Sequence, residues 1–122
     1  MNSSKIRKSI LTLVQEREII LRRVIKPERM ITGGLVKRWL RCGQARCCCK
    51  RGKPHGPYYY LSALKGGRPR MIYLGRGDRP EIELLKRYQD FQRSIACLNS
   101  INRKITKLLW LLAKDKIEAV KF

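Results

Sequence analysis

The sequence lacks an apolar run long enough to cross a membrane, because a spanning helix needs about 20 such residues in succession and charged residues interrupt every run well before that. Residues 1–20 also do not fit a signal peptide. Their apolar stretch is five residues long, and no small-residue cleavage site follows it. We therefore expect no membrane partner and a cytoplasmic location.

Acidic residues are scarce as well. The chain of 122 residues has 9 Asp and Glu against 29 Lys and Arg, which gives a formal net charge of +20. Residues 31–77 contain eleven Lys or Arg and no Asp or Glu. Charge of one sign repels itself in a compact protein, whereas binding to a nucleic acid offsets it and releases condensed counterions. We therefore expect DNA or RNA as the partner.

The absence of carboxylates from residues 31–77 also argues against catalysis. This region has the most distinctive chemistry of the chain, but it holds no general base that could activate water at a metal ion. Its run of three tyrosines could suggest a nucleophile, but such enzymes require carboxylate and histidine pairs at a metal ion or an Arg/His constellation around the tyrosine. We expect the single histidine, His55, to be a metal ligand instead. We predict that the protein is not an enzyme.

Three segments of different composition predict an α+β fold. Apolar residues at three- and four-residue spacing predict a helix over residues 4–25, capped by Ser4 and ended by Pro27. Residues 31–77 hold all nine glycines, and helical spacing returns after them. We divide the chain into an N-terminal helix (1–30), a small β-hairpin module (31–77) and a long helical, coiled-coil-like segment (78–122).

The central module predicts a hairpin preceded by a short strand. Residues 57–64 and 70–74 are rich in tyrosine and aliphatic side chains, which favour strands. Gly66 and Gly67 lie between them and can adopt the positive φ angles of a tight hairpin turn. Residues 35–40 predict a further strand that leads into a group of cysteines.

Four cysteines and the single histidine of the chain lie within fourteen residues. Cys42, Cys47, Cys49 and His55 would supply three thiolates and an imidazole, a ligand set that suits tetrahedral Zn²⁺. Spacing alone leaves Cys48 as an equal candidate, and free thiols are the alternative to a metal site. With all four positions filled by protein, the predicted zinc is structural and organises the hairpin module.

The segment Cys42-Gly-x3-Cys47-x-Cys49, followed by His55-Gly-Pro-Tyr-Tyr-Tyr-Leu-Ser62, resembles a box found in a poorly characterised family of small bacterial and archaeal proteins. The resemblance covers about residues 31–98. It implies an association with mobile genetic elements. For a prokaryotic protein that binds nucleic acid, we expect a cytoplasmic location in association with the nucleoid or a ribonucleoprotein. The middle position of the C-x-C is not normally cysteine in that family, so the resemblance favours Cys49 over Cys48 as the ligand.

Tyrosines and cations are interspersed along the hairpin module. On a strand, Tyr58 and Tyr60 face one way and Tyr59 the other, so one face can pack on the helices while the other offers rings for stacking on bases. The alternative is that the tyrosines are ordinary half-buried strand residues. The candidate nucleic-acid contacts are Lys37, Arg38, Arg46, Lys50, Arg51, Lys53, Tyr58, Tyr59, Tyr60, Lys65, Arg68, Arg70, Tyr73 and Arg76.

The C-terminal segment shows a heptad pattern after a helix-start sequence at Asp78, Pro80 and Glu81. Such a seam could pack against residues 4–25 or pair with a second chain, and we predict a homodimer. Asn102 would fix the register if it is buried and would have no such role if it is exposed. The predicted seam is formed by Leu84, Tyr88, Phe91, Ile95, Leu98, Asn102, Ile105, Leu109 and Leu112.

These features predict a nucleic-acid-binding accessory protein of a mobile element, with DNA favoured over RNA mainly by the resemblance. The alternative is a structural subunit that clamps a larger nucleoprotein machine through its helices. Binding of the isolated protein to naked nucleic acid separates the two hypotheses.

Overall fold

The computed structural model describes residues 2–47, 52–118 and 120. Its elements are the helix α1 (Ser3–Val24), the strands β1 (Gly34–Leu40), β2 (His55–Lys65) and β3 (Arg68–Gly75), and the helix α2 (Pro80–Lys116). This layout confirms the predicted α+β fold. The chain forms two compact units, which we call the sheet unit (Glu28–Asp90) and the helical unit (Met1–Pro27 with Phe91–Phe122). Helix α2 contributes residues to both.

Helix α1 begins one residue before the predicted start. Asn2 caps it, and the Asn2 side chain accepts a hydrogen bond from the backbone N–H of Lys5 at 2.9 Å. Asparagine is as good an N-cap as serine, so the cap forms at Asn2 and Ser4 lies inside the first turn. The helix ends at Val24, in keeping with Pro27 a few residues later.

The helical unit has a core formed between α1 and the C-terminal part of α2. Its buried residues are Ile20, Leu98, Ile101 and Ile105. Four half-buried residues of α1 pack against them, namely Ile10, Leu13, Val14 and Val24. The apolar face of α1 thus finds its partner within the same chain.

Only some residues of the predicted heptad seam are buried in the structure. Leu98 and Ile105 are buried, whereas Ile95 is 38% and Leu109 49% exposed. Ile101, which the heptad pattern leaves out, is buried at 4% exposure. Asn102 is exposed, and its side-chain oxygen accepts a hydrogen bond from Arg17 at 3.3 Å. The buried residues Leu98, Ile101 and Ile105 therefore form a stripe displaced from the predicted seam, and this stripe packs on α1. Asn102 lies outside it.

Among the residues that the structure describes, no helix is both long and apolar enough to cross a membrane.

The sheet unit contains one antiparallel sheet with the strand order β1-β2-β3. Strands β2 and β3 form the predicted hairpin, in which Lys65 pairs with Arg68. Gly66 and Gly67 connect them with φ angles of 58° and 77°. Positive φ at both central residues is the requirement of a type I′ turn, which explains why two glycines stand here.

One face of the sheet is covered by the first turns of α2. Leu74, Ile82 and Leu85 form the buried cluster, and Leu85 is fully buried. Gly33 lets the chain enter β1 closely against this cluster, because a Cβ at its position would lie 2.6 Å from Cδ1 of Leu61. The half-buried residues that pack against the cluster are Ile31, Leu35, Tyr59 and Leu61.

Candidate metal centre and nucleic-acid interface

Three of the predicted metal ligands lie together at one end of the sheet. The pairing of Leu40 with His55 joins the end of β1 to the start of β2. Cys42 and Cys47 follow β1, and their sulfur atoms and a ring nitrogen of His55 are all within 4.8 Å of one another. Sγ of Cys47 is 3.0 Å from Nε2 of His55. The group is half-buried and could hold a metal ion.

Glycine is required where His55 enters the sheet. Gly56 has a φ angle of 135°, and a Cβ at this position would lie 2.8 Å from the carbonyl oxygen of Arg38. The β1–β2 register also shifts between Arg38 and Leu40, and such a bulge re-aims the strand that carries it. The close approach and the bulge together place His55 next to the two cysteines.

Cys49 was predicted as the fourth ligand, but it lies outside the described residues, as do Cys48, Lys50 and Arg51. Of the predicted set, Cys42, Cys47 and His55 are brought together. A cysteine thiol must lose its proton, and an imidazole must be neutral, before either binds a cation. Metal binding here would therefore release protons.

The opposite face of the sheet from α2 carries a group of tyrosines. Tyr60 pairs with Tyr73 across β2 and β3, and their ring centroids are 5.4 Å apart at an angle of 50°. The ring of Tyr58 lies 6.4 Å from that of Tyr73 at 56°. These are tilted contacts of the kind aromatic pairs prefer. We call Tyr58, Tyr60 and Tyr73 the aromatic face.

Tyr59 lies on the other side, where it packs against the cluster of Leu74, Ile82 and Leu85. The pairing also shifts between Tyr59 and Tyr60, so that Tyr59 opposes Gly75. Of the four tyrosines predicted to contact nucleic acid, Tyr59 is therefore the one with a packing role in the structure.

Arginine side chains lie over two rings of the aromatic face. The guanidinium carbon of Arg38 lies 5.6 Å from the ring centroid of Tyr60, and that of Arg76 lies 5.3 Å from the ring of Tyr58. Both arginines are exposed. These distances are those of cation–π contacts, so the face combines aromatic rings with positive charge.

The remaining predicted contacts are distributed more widely. Lys37 lies 5.7 Å from the rings of both Trp39 and Tyr59. Lys65 and Arg68 flank the hairpin turn. By strand alternation Arg70 shares its side of β3 with Leu74 and not with Tyr73. Two more cations, Arg46 and Lys53, are exposed on the loop that carries the cysteines.

A cleft of about 360 Å³ opens between the metal ligands and the aromatic face. Arg41 and Leu40 were not among the predicted site residues. The position of Arg41 immediately before the first predicted ligand, Cys42, could have indicated that it belongs to the site. The cleft is lined by Leu40, Arg41, Cys42, His55, Tyr58, Tyr60 and Tyr73.

The fold and this site define a small, basic α+β protein with a Cys/His cluster beside an aromatic, arginine-bearing sheet face. The chain belongs to the family described as Domain of unknown function (DUF6788), which matches residues 12–84. The match extends from within α1 to the first turns of α2 and includes the whole sheet. No curated protein and no solved structure matches the chain.

Proposed function

We propose that the protein is a nucleic-acid-binding accessory protein whose sheet contacts the phosphate backbone and bases of DNA or RNA. The observation that carries this proposal is the position of Arg38 and Arg76 over the rings of Tyr60 and Tyr58. Arginine and exposed aromatic rings on one surface are the two groups that proteins use to bind phosphates and unpaired bases.

The distribution of charge supports this surface. Residues 31–77 carry eleven cations and no carboxylate, so their formal charge is +11 (eleven minus zero) with His55 neutral. Among the residues that the structure describes, the ion pairs Glu18–Arg22, Arg79–Glu81 and Glu83–Arg87 lie outside this segment. The positive charge of residues 31–77 has no carboxylate within the segment to offset it, and it would steer a nucleic acid toward this face.

A structural zinc ion is the metal that we propose for the Cys42, Cys47 and His55 cluster, with Cys49 as the fourth ligand. Sulfur and imidazole ligands together suit Zn²⁺. The ion would tie the end of β1 to the start of β2, and β1 carries Arg38. Its role is therefore to hold the arginine-bearing strand in place, and we propose no catalytic chemistry for it.

We further propose an association with mobile elements and a preference for DNA over RNA. Both rest on the resemblance of the cysteine and tyrosine box to that of the bacterial and archaeal family. A homodimer is supported by apolar residues on α2 that its own chain leaves uncovered, since Leu109 is 49% and Trp110 70% exposed. The same exposed residues would serve a second candidate function, in which the helices attach this protein to a larger nucleoprotein assembly.

The experiment is a titration of labelled duplex and single-stranded DNA at several salt concentrations, with two variants of equal charge. Arg38→Ala/Arg76→Ala removes the two arginines of the aromatic face, and Arg68→Ala/Arg70→Ala removes two others from the same sheet. We expect log K to fall linearly with log salt, and the first variant to flatten the duplex slope by about 0.9 for each phosphate that it no longer neutralises. The second should change the slope less.

Two results would contradict the proposal. If the wild-type protein shows no salt-dependent binding to any nucleic acid, the function is wrong. If both variants bind as well as the wild type, the sheet is not the contact surface.

A further inference from the structure

The cleft between the metal ligands and the aromatic face has the dimensions and walls of a small-molecule site. Its volume of about 360 Å³ falls within the range of roughly 300–1,000 Å³ that is usual for ligand pockets. Tyr60 and Tyr73 meet at 50° and so form an angled aromatic wall. Tyr73 is 53% exposed, which leaves a flat ring surface open to a ligand.

The rim of this cleft is cationic. Arg41 lines it directly, and Arg38 and Arg76 are held against two of its tyrosines. A ligand that suits the cleft therefore needs a flat apolar part for the rings and negative charge beside it. A nucleotide has both, since its base is a flat ring and its phosphate is an anion.

We propose that this cleft binds one unpaired nucleobase of a single-stranded nucleic acid, stacked on Tyr73, while Arg41, Arg38 and Arg76 contact the neighbouring phosphates. This inference rests on the proposed function and makes it more specific. A base inside a duplex presents only its edges in the grooves, so it cannot offer its face to Tyr73. The protein should accordingly prefer single strands, loops or ends to an intact duplex.

The lining also predicts weak discrimination among bases. Apart from Arg41, the cleft walls are rings and aliphatic groups, with Cys42 and His55 assigned to the metal. Every base has a face that can stack on a tyrosine, and stacking sites of this kind tolerate many sequences. We therefore expect similar affinities for oligonucleotides of different composition.

The test compares the full chain binding to a short oligothymidylate and to an abasic oligomer of the same length, which keeps the phosphates and lacks the bases. The variant is Tyr73→Leu, with Tyr73→Phe as its conservative partner. Met71→Ala is the matched control, because Met71 lies two residues away on the same face of β3, is 44% exposed and does not line the cleft. Thermal unfolding of each variant verifies that the sheet is intact.

We expect Tyr73→Leu to weaken oligothymidylate binding by about 5- to 150-fold, the range measured for loss of one base–aromatic stack. Tyr73→Phe and Met71→Ala should bind like the wild type. On the abasic oligomer, the wild type should bind as weakly as Tyr73→Leu, and the substitution should have no further effect.

The possible outcomes distinguish failure of the base site from failure of the proposed function. If the wild type binds both oligomers equally and Tyr73→Leu changes neither affinity, nucleic-acid binding stands and the cleft does not hold a base. That is also the result expected if the cleft accepts an apolar peptide side chain instead. If the wild type binds neither oligomer nor a duplex, the proposed function fails and the base site fails with it.

Discussion

Replacement of Gly56 by alanine should destabilise the sheet more than any other glycine substitution near the site. The new Cβ would lie 2.8 Å from the carbonyl oxygen of Arg38 and 3.2 Å from Cα of Trp39. Both are backbone atoms of β1, which cannot rotate away as a side-chain tip can. The φ angle of 135° is also one that residues other than glycine rarely adopt.

The magnitude follows from these two effects. A disfavoured backbone conformation costs on the order of 1–3 kcal/mol, and forced displacement of packed groups costs a further 1–3 kcal/mol or so. The expected loss is about 2–6 kcal/mol of the free energy of unfolding, out of a total of about 5–15 kcal/mol for a typical domain. At roughly 4 °C per kcal/mol for a chain of this size, the midpoint should fall by about 8–24 °C.

Thermal unfolding followed by circular dichroism measures this change, and two other glycines calibrate it. Gly43→Ala should be close to neutral, because its Cβ would meet nothing within 4 Å and its φ is not positive. Gly66→Ala meets nothing either but has a φ of 58°, so about 1–2 kcal/mol should be lost. If Gly56→Ala unfolds at the same temperature as Gly43→Ala, the close approach of the two strands is not as described.

Two further predictions concern the metal and the helices. Cys47→Ser and His55→Ala should each lose bound zinc and the cooperative unfolding of the sheet together, since the binding energy of structural zinc is folding energy. Cys48→Ser should retain both. Metal analysis after gel filtration measures the zinc content, and a zinc-free protein that unfolds unchanged would refute the prediction. Leu109→Asp should yield folded monomers in sedimentation. Leu98→Asp should instead unfold the helical unit, because Leu98 is only 8% exposed and belongs to its core. A wild-type protein that is monomeric at micromolar concentration contradicts the dimer.

Local sequence was sufficient for the elements of this fold and for part of the site. Gly66 and Gly67 mark a turn whose chemistry is contained in two residues. Cys42, Cys47 and His55 lie within fourteen residues of sequence, and the structure brings these three together. Alternation along one strand also placed Tyr58 and Tyr60 on one face and Tyr59 on the other. None of these inferences needed knowledge of a distant partner.

What the sequence could not provide depends on pairing between distant segments. The contact of Arg38 with Tyr60 requires the register of β1 on β2, and no local pattern encodes that register. Arg41 was missed as a cleft residue for the same reason. The heptad pattern had a related ambiguity, since Leu98 and Ile105 fit both a seam between two chains and an amphipathic face that packs on α1. The structure shows half-buried residues of α1 packed against Leu98 and Ile105, so this part of the face is covered within the chain.

The order β1-β2-β3 leaves a small sheet with two open edges, and the backbone of an open edge can pair with another chain and aggregate. Lys37 and Arg38 lie on one edge strand, and Arg68 and Arg70 on the other, beside Pro69, which cannot donate a backbone hydrogen bond. The positive charge of these edge strands should therefore oppose edge-to-edge pairing between copies of the sheet. Variants that remove it should lose colloidal solubility as well as affinity, and conditions that screen charge should expose the same weakness in the wild type.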